Sequence, residues 1–128
     1  MRLLLDTHVV IWYVDQDHLL SAAAHAAITD PNNDLLLSAA TIWEIAIKVG
    51  TGKMSLSLPY RQWIVQTIAD LKLTLLPITV EYADAQSGLP HHHRDPFDRL
   101  LIAQAIVEGI PLVSADRQFD AYGISRIW

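Results

Sequence analysis

Short apolar runs alternate along the chain with longer segments in which apolar residues recur every three or four positions. The runs have the length of buried strands, and the longer segments have the period of helices. This pattern predicts strands at 2–6, 35–37, 73–77, 111–114 and 124–127, and helices at about 8–15, 22–29, 39–49, 59–71, 80–88 and 96–109. Because strands that alternate with helices build a mostly parallel sheet covered on both faces, we expect an α/β fold, a three-layer α/β/α sandwich.

Several helix boundaries are predicted by the residues that favour helix ends. Ser21 and Thr79 are suited to cap the helices that follow them. Asp95 is predicted to be an N-cap, with Pro96 in the first helical position, where its missing N–H costs nothing. Gly50 is predicted to stop the preceding helix in a left-handed conformation.

Composition favours one compact domain over residues 1–128, because 52% of the residues are hydrophobic and no segment has the composition of a linker. The longest early apolar run, residues 9–14, is too short to cross a bilayer. The chain has no cysteine, which fits a reducing compartment. We therefore expect a cytoplasmic protein without a membrane anchor.

Four acidic residues interrupt or end apolar runs, where an ionised carboxylate is costly unless it is paired or holds a metal ion. Asp6 would end the first strand and Asp116 would lie just past the fourth, so both point to the carboxyl edge of the sheet, where open α/β sheets place their sites. Asp98, in the first turn of its helix, and Glu44, about two turns into another helix, can reach the same edge. Such a cluster needs cations, and its hard oxygen ligands favour Mg²⁺ or Mn²⁺.

Each acid also has a purely structural explanation. Asp6 is able to cap the helix after it, Asp98 to complement a helix dipole, and Asp116 to cap a short turn. Glu44 and Lys48 form an i,i+4 pair of the favourable order. That helix is otherwise apolar almost all round, however, and a narrow polar stripe on a buried helix more often faces a site than open water.

Histidine and serine residues near the acids are open to simpler interpretations. The triplet His91–His93 resembles a zinc ligand set, but consecutive side chains do not converge on one ion and no partner motif exists. We therefore expect a polar loop there. Ser38 and Ser114, each at a strand end, are either caps or hydrogen-bond donors to the acids.

Four segments together resemble the PIN domain family, specifically the VapC-like toxins of bacterial and archaeal toxin–antitoxin operons. They follow one another in the family's order across the whole chain: Leu4–His8, Ser38–Lys48, His93–Ala105 and Leu112–Phe119. The resemblance implies a PIN-like fold and an endoribonuclease that depends on Mg²⁺ or Mn²⁺. It also implies a homodimer and a small antitoxin whose tail lies across the active groove.

The resemblance assigns roles residue by residue. It implies that Asp6 and Asp98 bind metal directly, that Asp116 binds it directly or through water, and that Glu44 acts through water or positions the nucleophile. Thr7 and Ser114 match the supporting polar positions, and Asp95 stays a helix cap.

The net charge of −5 argues against a nucleic-acid partner at first sight, since such proteins usually carry a basic stripe. Bound cations would cancel much of the negative charge of the acids. Arg94, Arg99 and Arg117 lie next to acids in sequence, and Lys48 follows Glu44 by one helical turn. We expect these four basic residues to hold the RNA backbone.

Other functions are less well supported. A phosphoryl-transfer enzyme of the haloacid dehalogenase type needs a second Asp two positions after Asp6, where this chain has His8. A signalling receiver module needs paired acids after its first strand, and these are missing. A PIN-like fold kept only for binding is a further alternative, although all four acids are present.

Overall fold

The computed structural model describes all 128 residues, Met1–Trp128. Five parallel strands form one sheet in the order β3-β2-β1-β4-β5. The strands are β1 (Arg2–Leu5), β2 (Asp34–Ser38), β3 (Thr74–Leu76), β4 (Leu112–Val113) and β5 (Arg126–Ile127). The α-helices are α1 (Thr7–Asp15), α2 (Ala22–Thr29), α3 (Ala39–Gly50), α4 (Tyr60–Asp70), α5 (Val80–Ser87) and α6 (Pro96–Glu108), and two 3-10 helices cover Asp17–Leu19 and Arg117–Tyr122.

Helices pack on both faces of the sheet, because successive side chains of a strand point to opposite sides. In β1, Leu3 and Leu5 pack into a core shared with α1, α2, α3 and α4. Leu4 packs on the other side against α6 and the second 3-10 helix. The buried strands are apolar on both faces, as parallel sheets require. The predicted three-layer α/β/α sandwich is confirmed.

The predicted caps are largely confirmed. The Ser21 hydroxyl accepts a hydrogen bond from Ala24 N, and the Thr79 hydroxyl accepts one from Tyr82 N. Gly109 ends α6 with φ of 63°, in the left-handed conformation that glycine adopts without strain.

The prediction for Gly50 is wrong. Gly50 is the last residue of α3, and the left-handed conformation belongs to Gly52, with φ of 73°. The chain makes a further turn there, in which Lys53 N and Met54 N both donate to Lys48 O. Sequence patterns often misplace a helix end by one or two residues, because either glycine can supply the turn.

The strands are shorter at several ends than the apolar runs predict. β3, β4 and β5 span three, two and two residues. Apolar residues beyond them are buried by packing without joining the ladder, as Ile110 is. None of the α-helices is long and apolar enough to cross a membrane.

Candidate metal and catalytic site

The candidate site lies at the carboxyl ends of β1 and β4, two neighbouring strands from which the chain proceeds to opposite sides of the sheet. Asp6 directly follows β1, and its N–H donates to Val113 O at 3.0 Å. Ser114 directly follows β4, and its N–H donates to Ile127 O at 3.1 Å. Crevices at such switch points are where open parallel sheets bind their ligands.

Asp6 is buried and held by two donors. Ser114 Oγ donates to Asp6 Oδ2 at 2.7 Å, and Thr7 N donates to Asp6 Oδ1 at 2.7 Å. Burial raises the pKa of Asp6, although the hydrogen bond from Ser114 opposes that shift. Ser114 Oγ also accepts from Asp116 N at 3.0 Å, so one hydroxyl links two of the predicted acids. Asp6 therefore caps α1 and faces the site at the same time.

Asp98 is brought to the site by the start of α6. The Asp95 carboxylate accepts from Phe97 N at 2.8 Å and from Asp98 N at 3.2 Å, which confirms Asp95 as the N-cap. The Asp98 side chain itself accepts no hydrogen bond from the protein. Burial raises the pKa of Asp98 to about 7, and the negative charges of neighbouring carboxylates add to this shift. Those neighbours are Asp6, Asp95, Glu44 and Asp116.

Glu44 is buried and has a partner on each carboxylate oxygen. Thr7 Oγ1 donates to Oε1 at 2.8 Å, and Lys48 Nζ lies 2.7 Å from Oε2. The hydrogen bond to Glu44 raises the pKa of Lys48. Thr41 completes this polar stripe, because its hydroxyl lies 3.0 Å from that of Thr7. The predicted i,i+4 pair is thus present, and the negative charge of Glu44 still acts on Asp98.

Asp116 is more open than Asp6 and Glu44, with 38% of its side chain exposed. Its Oδ1 accepts from Gln118 N at 2.9 Å, as predicted for the cap of a short turn. Its Oδ2 lies 3.2 Å from His93 Nε2. Ligand atoms of His93, Asp98 and Asp116 lie within 4.8 Å of one another.

Sequence reasoning missed His93 as a neighbour of the acids. The expected polar loop is present, since His91 and His92 are exposed, but the His93 side chain is only 6% exposed and lies inside the site. The position of His93 in the sequence was the feature from which its place beside the acids could have been predicted. His93 stands two residues before the N-cap of the helix that carries Asp98, whereas the triplet as a whole suggested only a zinc set or a loop.

Arg99 was predicted to contact the RNA backbone, but in the structure its side chain is used within the protein. Its side chain is buried, and its guanidinium donates to the carbonyls of Pro90 at 2.8 Å, Gln86 at 3.1 Å and Leu89 at 3.3 Å. A guanidinium has five donors in a fixed plane, which suits this set of carbonyls. Arg99 therefore holds the loop between α5 and α6, and that loop carries His93.

The other predicted basic and supporting residues occupy mixed positions. Arg94 and Arg117 are exposed beside the site, and Lys48 is partly exposed while paired to Glu44. The Ser38 hydroxyl accepts from Ala40 N at 3.1 Å and makes no hydrogen bond to the acids, so Ser38 caps α3. The two serines were predicted to be either helix caps or hydrogen-bond donors to the acids. Ser38 is a helix cap, and Ser114 donates a hydrogen bond to Asp6.

The family model described as the PIN domain matches residues 3–124 of this chain. The chain is 32% identical over 120 residues to Ribonuclease VapC22 of Mycobacterium tuberculosis, which covers 93% of this chain and 90% of that protein. The fold is similar to that of VapBC2 from Rickettsia felis, solved bound to a DNA fragment from their promoter. The TM-score is 0.68 at 16% identity, with 98% of this chain and 97% of that chain covered.

A second solved structure with the same fold is VapBC-5 from Mycobacterium tuberculosis, a member of the VapBC family of toxin-antitoxin systems. It matches with a TM-score of 0.59 at 20% identity, over 94% of this chain and 89% of that chain. These structures share the fold, while the family match and the ribonuclease relative each extend over most of the sequence. The chain therefore belongs to the PIN domain family.

Proposed function

We propose that this protein is a metal-dependent endoribonuclease that hydrolyses phosphodiester bonds at the carboxylate cluster. The observation that carries the proposal is Asp98, a half-buried carboxylate without a hydrogen-bond donor among four other acids. A carboxylate in that setting either takes up a proton or binds a cation. Similarity to a protein named as a ribonuclease supports RNA as the substrate.

The donor set fits a hard divalent cation. Asp6, Asp98 and Asp116 offer carboxylate oxygens, which Mg²⁺ and Mn²⁺ prefer, and each has capacity left beyond its hydrogen bonds. In this proposal Asp6, Asp98 and Asp116 hold the ion. A divalent ion there supplies an acidified water and a partner for the charge that develops on the phosphate.

The remaining residues of the site support this chemistry in our proposal. Glu44, fixed by Thr7 and Lys48 on its two oxygens, orients the attacking water. Ser114 sets the distance between the β1 and β4 ends because it bonds Asp6 and the Asp116 main chain. Orientation by such neighbours is a general requirement of metal sites.

The exposed Arg94 and Arg117 are proposed to contact the RNA backbone on either side of the cluster. Arg99 is left out of this set because its guanidinium is occupied by main-chain carbonyls. Phosphate contacts make binding sensitive to salt. Arg94→Ala is therefore expected to weaken the binding of all RNA sequences alike. It is also expected to lower the slope of log K against log salt concentration by about one.

The proposed partners are a small antitoxin protein and a second copy of the chain. Similarity to VapC22 and a fold shared with VapBC structures support a toxin role. Co-expression with a small DNA-binding protein from the adjacent gene is expected to give a stable complex with suppressed cleavage. Light scattering on the purified chain tests the homodimer, and a monomer at micromolar concentration would contradict it.

The decisive experiment is incubation of the purified chain with defined single-stranded and hairpin RNAs, with Mn²⁺, with Mg²⁺ and with EDTA. Internal cleavage that needs a divalent ion is expected from the wild type and is expected to be absent in Asp6→Asn. The matched control is Asp34→Asn. Asp34 is an exposed acid at the amino end of β2, at the edge of the sheet opposite to the site. Cleavage that survives EDTA or the Asp6→Asn change would overturn the proposal, and a folded chain that binds an antitoxin but never cleaves would favour a binding role.

A further inference from the structure

His93 is buried in the site but has no part in the chemistry proposed above. Its Nε2 lies 3.2 Å from Asp116 Oδ2, and its Nδ1 lies 3.3 Å from the Tyr122 hydroxyl. The ring packs against Phe119 at a centroid distance of 4.8 Å and against Tyr122 at 5.5 Å. A buried imidazole with a polar partner on each nitrogen has a fixed orientation.

The hydrogen positions follow from the donors and acceptors around the ring. An ionised Asp116 carboxylate only accepts, so the hydrogen between the two side chains belongs to His93 Nε2. In the neutral imidazole, Nδ1 then carries a lone pair and accepts from the Tyr122 hydroxyl. The Tyr122 oxygen accepts from His92 N at 3.1 Å. This uses a lone pair of the oxygen and leaves the O–H hydrogen to donate to His93. Tyr122, His93 and Asp116 thus form one directed chain of hydrogen bonds.

The orientation of Asp116 depends on this chain more than the orientations of Asp6 and Glu44 do. Its side chain is 38% exposed, whereas Asp6 and Glu44 are buried, and each of these two has a hydrogen-bond donor on both carboxylate oxygens. Gln118 N fixes its Oδ1, and only His93 fixes its Oδ2. Without His93, the carboxylate is free to rotate about the single contact that remains.

We propose that His93 is a positioning residue, which holds Asp116 in the orientation that binds the metal ion and is itself held by Tyr122. This inference rests on the proposed function, because it assigns the residue that orients one proposed ligand. Carboxylates and imidazoles that orient metal ligands typically contribute 10- to 100-fold in metal affinity. Arg99 contributes indirectly, by fixing the loop from which His93 enters the site.

Mn²⁺ binding measured by calorimetry on the purified chain tests the proposal without reference to activity. His93→Leu keeps an apolar side chain against Phe119 but removes the donor, and we expect Mn²⁺ affinity to fall about 10- to 100-fold. His93→Gln places an amide N–H near the Nε2 position, and we expect it to restore most of the affinity. His91→Leu is the matched control in the same loop, because His91 is exposed and makes no hydrogen bond to Asp116, and this variant is expected to bind Mn²⁺ as the wild type does.

A double-mutant cycle separates positioning from a role in folding or direct ligation. If His93 acts through Asp116, then His93→Leu has little further effect on Mn²⁺ affinity in the Asp116→Asn background. Additive losses would overturn the proposal. Thermal unfolding in EDTA checks that the variants fold.

Should His93→Leu fail to fold, Tyr122→Phe provides the test, because it removes the donor to His93 Nδ1. Unchanged Mn²⁺ affinity in Tyr122→Phe would contradict the proposed chain of hydrogen bonds.

The two proposals fail in different ways. A wild-type chain that binds no Mn²⁺ and cleaves no RNA would contradict the proposed function. A wild type that binds and cleaves, with His93→Leu indistinguishable from it in Mn²⁺ affinity, would contradict only the role of His93.

Discussion

Two aspartates, one at the end of α1 and one in the first turn of α6, have opposite electrostatic surroundings. Asp15, the last residue of α1, accepts from Ser57 N at 3.0 Å, Ser57 Oγ at 2.6 Å and Trp63 Nε1 at 3.0 Å. Asp98 accepts from no side chain or main-chain donor, and burial with its acidic neighbours raises its pKa to about 7. The carboxylate of Asp15 is therefore satisfied by donors within the protein, whereas that of Asp98 has no donor there.

The difference teaches how to separate a structural acid from a functional one. A carboxylate with its own donors ties elements together, as Asp15 ties α1 to the segment before α4 and to Trp63. A carboxylate that is crowded by like charges and has no donors of its own is a candidate for a functional group. The following predictions test this contrast, beginning with the largest expected effect.

Asp98→Asn is expected to reduce metal-dependent RNA cleavage by at least about 100-fold, the scale of losing a group that stabilises charge in the reaction. Asp15→Asn, the matched change of a carboxylate to an amide, is expected to leave cleavage close to wild type. Initial rates on one RNA at saturating Mn²⁺ measure both. Equal losses in the two variants would remove the distinction between the acids.

Divalent ions are expected to stabilise the wild type, because an ion that binds only the folded state adds its binding free energy to the free energy of unfolding. At an ion concentration 100 times the Kd this amounts to about 2.7 kcal/mol. Chemical unfolding with Mn²⁺ and with EDTA measures the gain. Asp98→Asn is expected to lose most of it and Asp15→Asn to keep it, so an equal gain in both variants would place the ion elsewhere.

Asp15→Ala is expected to lower the free energy of unfolding by about 1–3 kcal/mol, because the Nε1–H of the buried Trp63 loses its acceptor. Urea unfolding in EDTA is the appropriate measurement, since it excludes any effect of bound ions. Asp17→Ala is the control, as an exposed acid whose carboxylate accepts no hydrogen bond. A loss no greater than that of the control would show that Asp15 is not an anchor.

The free energy of unfolding of the metal-free protein is expected to fall as pH rises from about 4 to about 7. The folded-state pKa of Asp98 is about 7, above the ordinary value of 3.8, so the unfolded chain binds fewer protons in this window. Urea unfolding in EDTA at pH 5 and pH 8 measures the difference. It is expected to shrink in Asp98→Asn but not in Asp15→Asn, and equal pH dependence in wild type and Asp98→Asn would contradict the assigned cause.

The sequence predicted the order of strands and helices and the position of each acid within them, because these depend on neighbours a few residues apart. Asp95 shows this well, since its role as the N-cap of α6 needs only the next three residues. The end of α3 was misplaced at Gly50 because Gly52, two residues on, supplies the turn. Arg99 was misassigned because an arginine beside an acid in sequence does not reveal which way its side chain turns.

The sequence by itself determined a parallel α/β fold, with Asp6, Asp98 and Asp116 at the ends of its elements and Glu44 inside a helix. Period, helix caps and strand ends are local properties. Only the tertiary structure decided which polar groups meet. Ser114 reaches Asp6 across 108 residues of sequence, and His93 reaches Asp116 across 23. Those contacts depend on the order of strands in the sheet and on the path of the loop before α6. Neither can be predicted from the few residues that flank Asp6, His93, Ser114 and Asp116 in sequence.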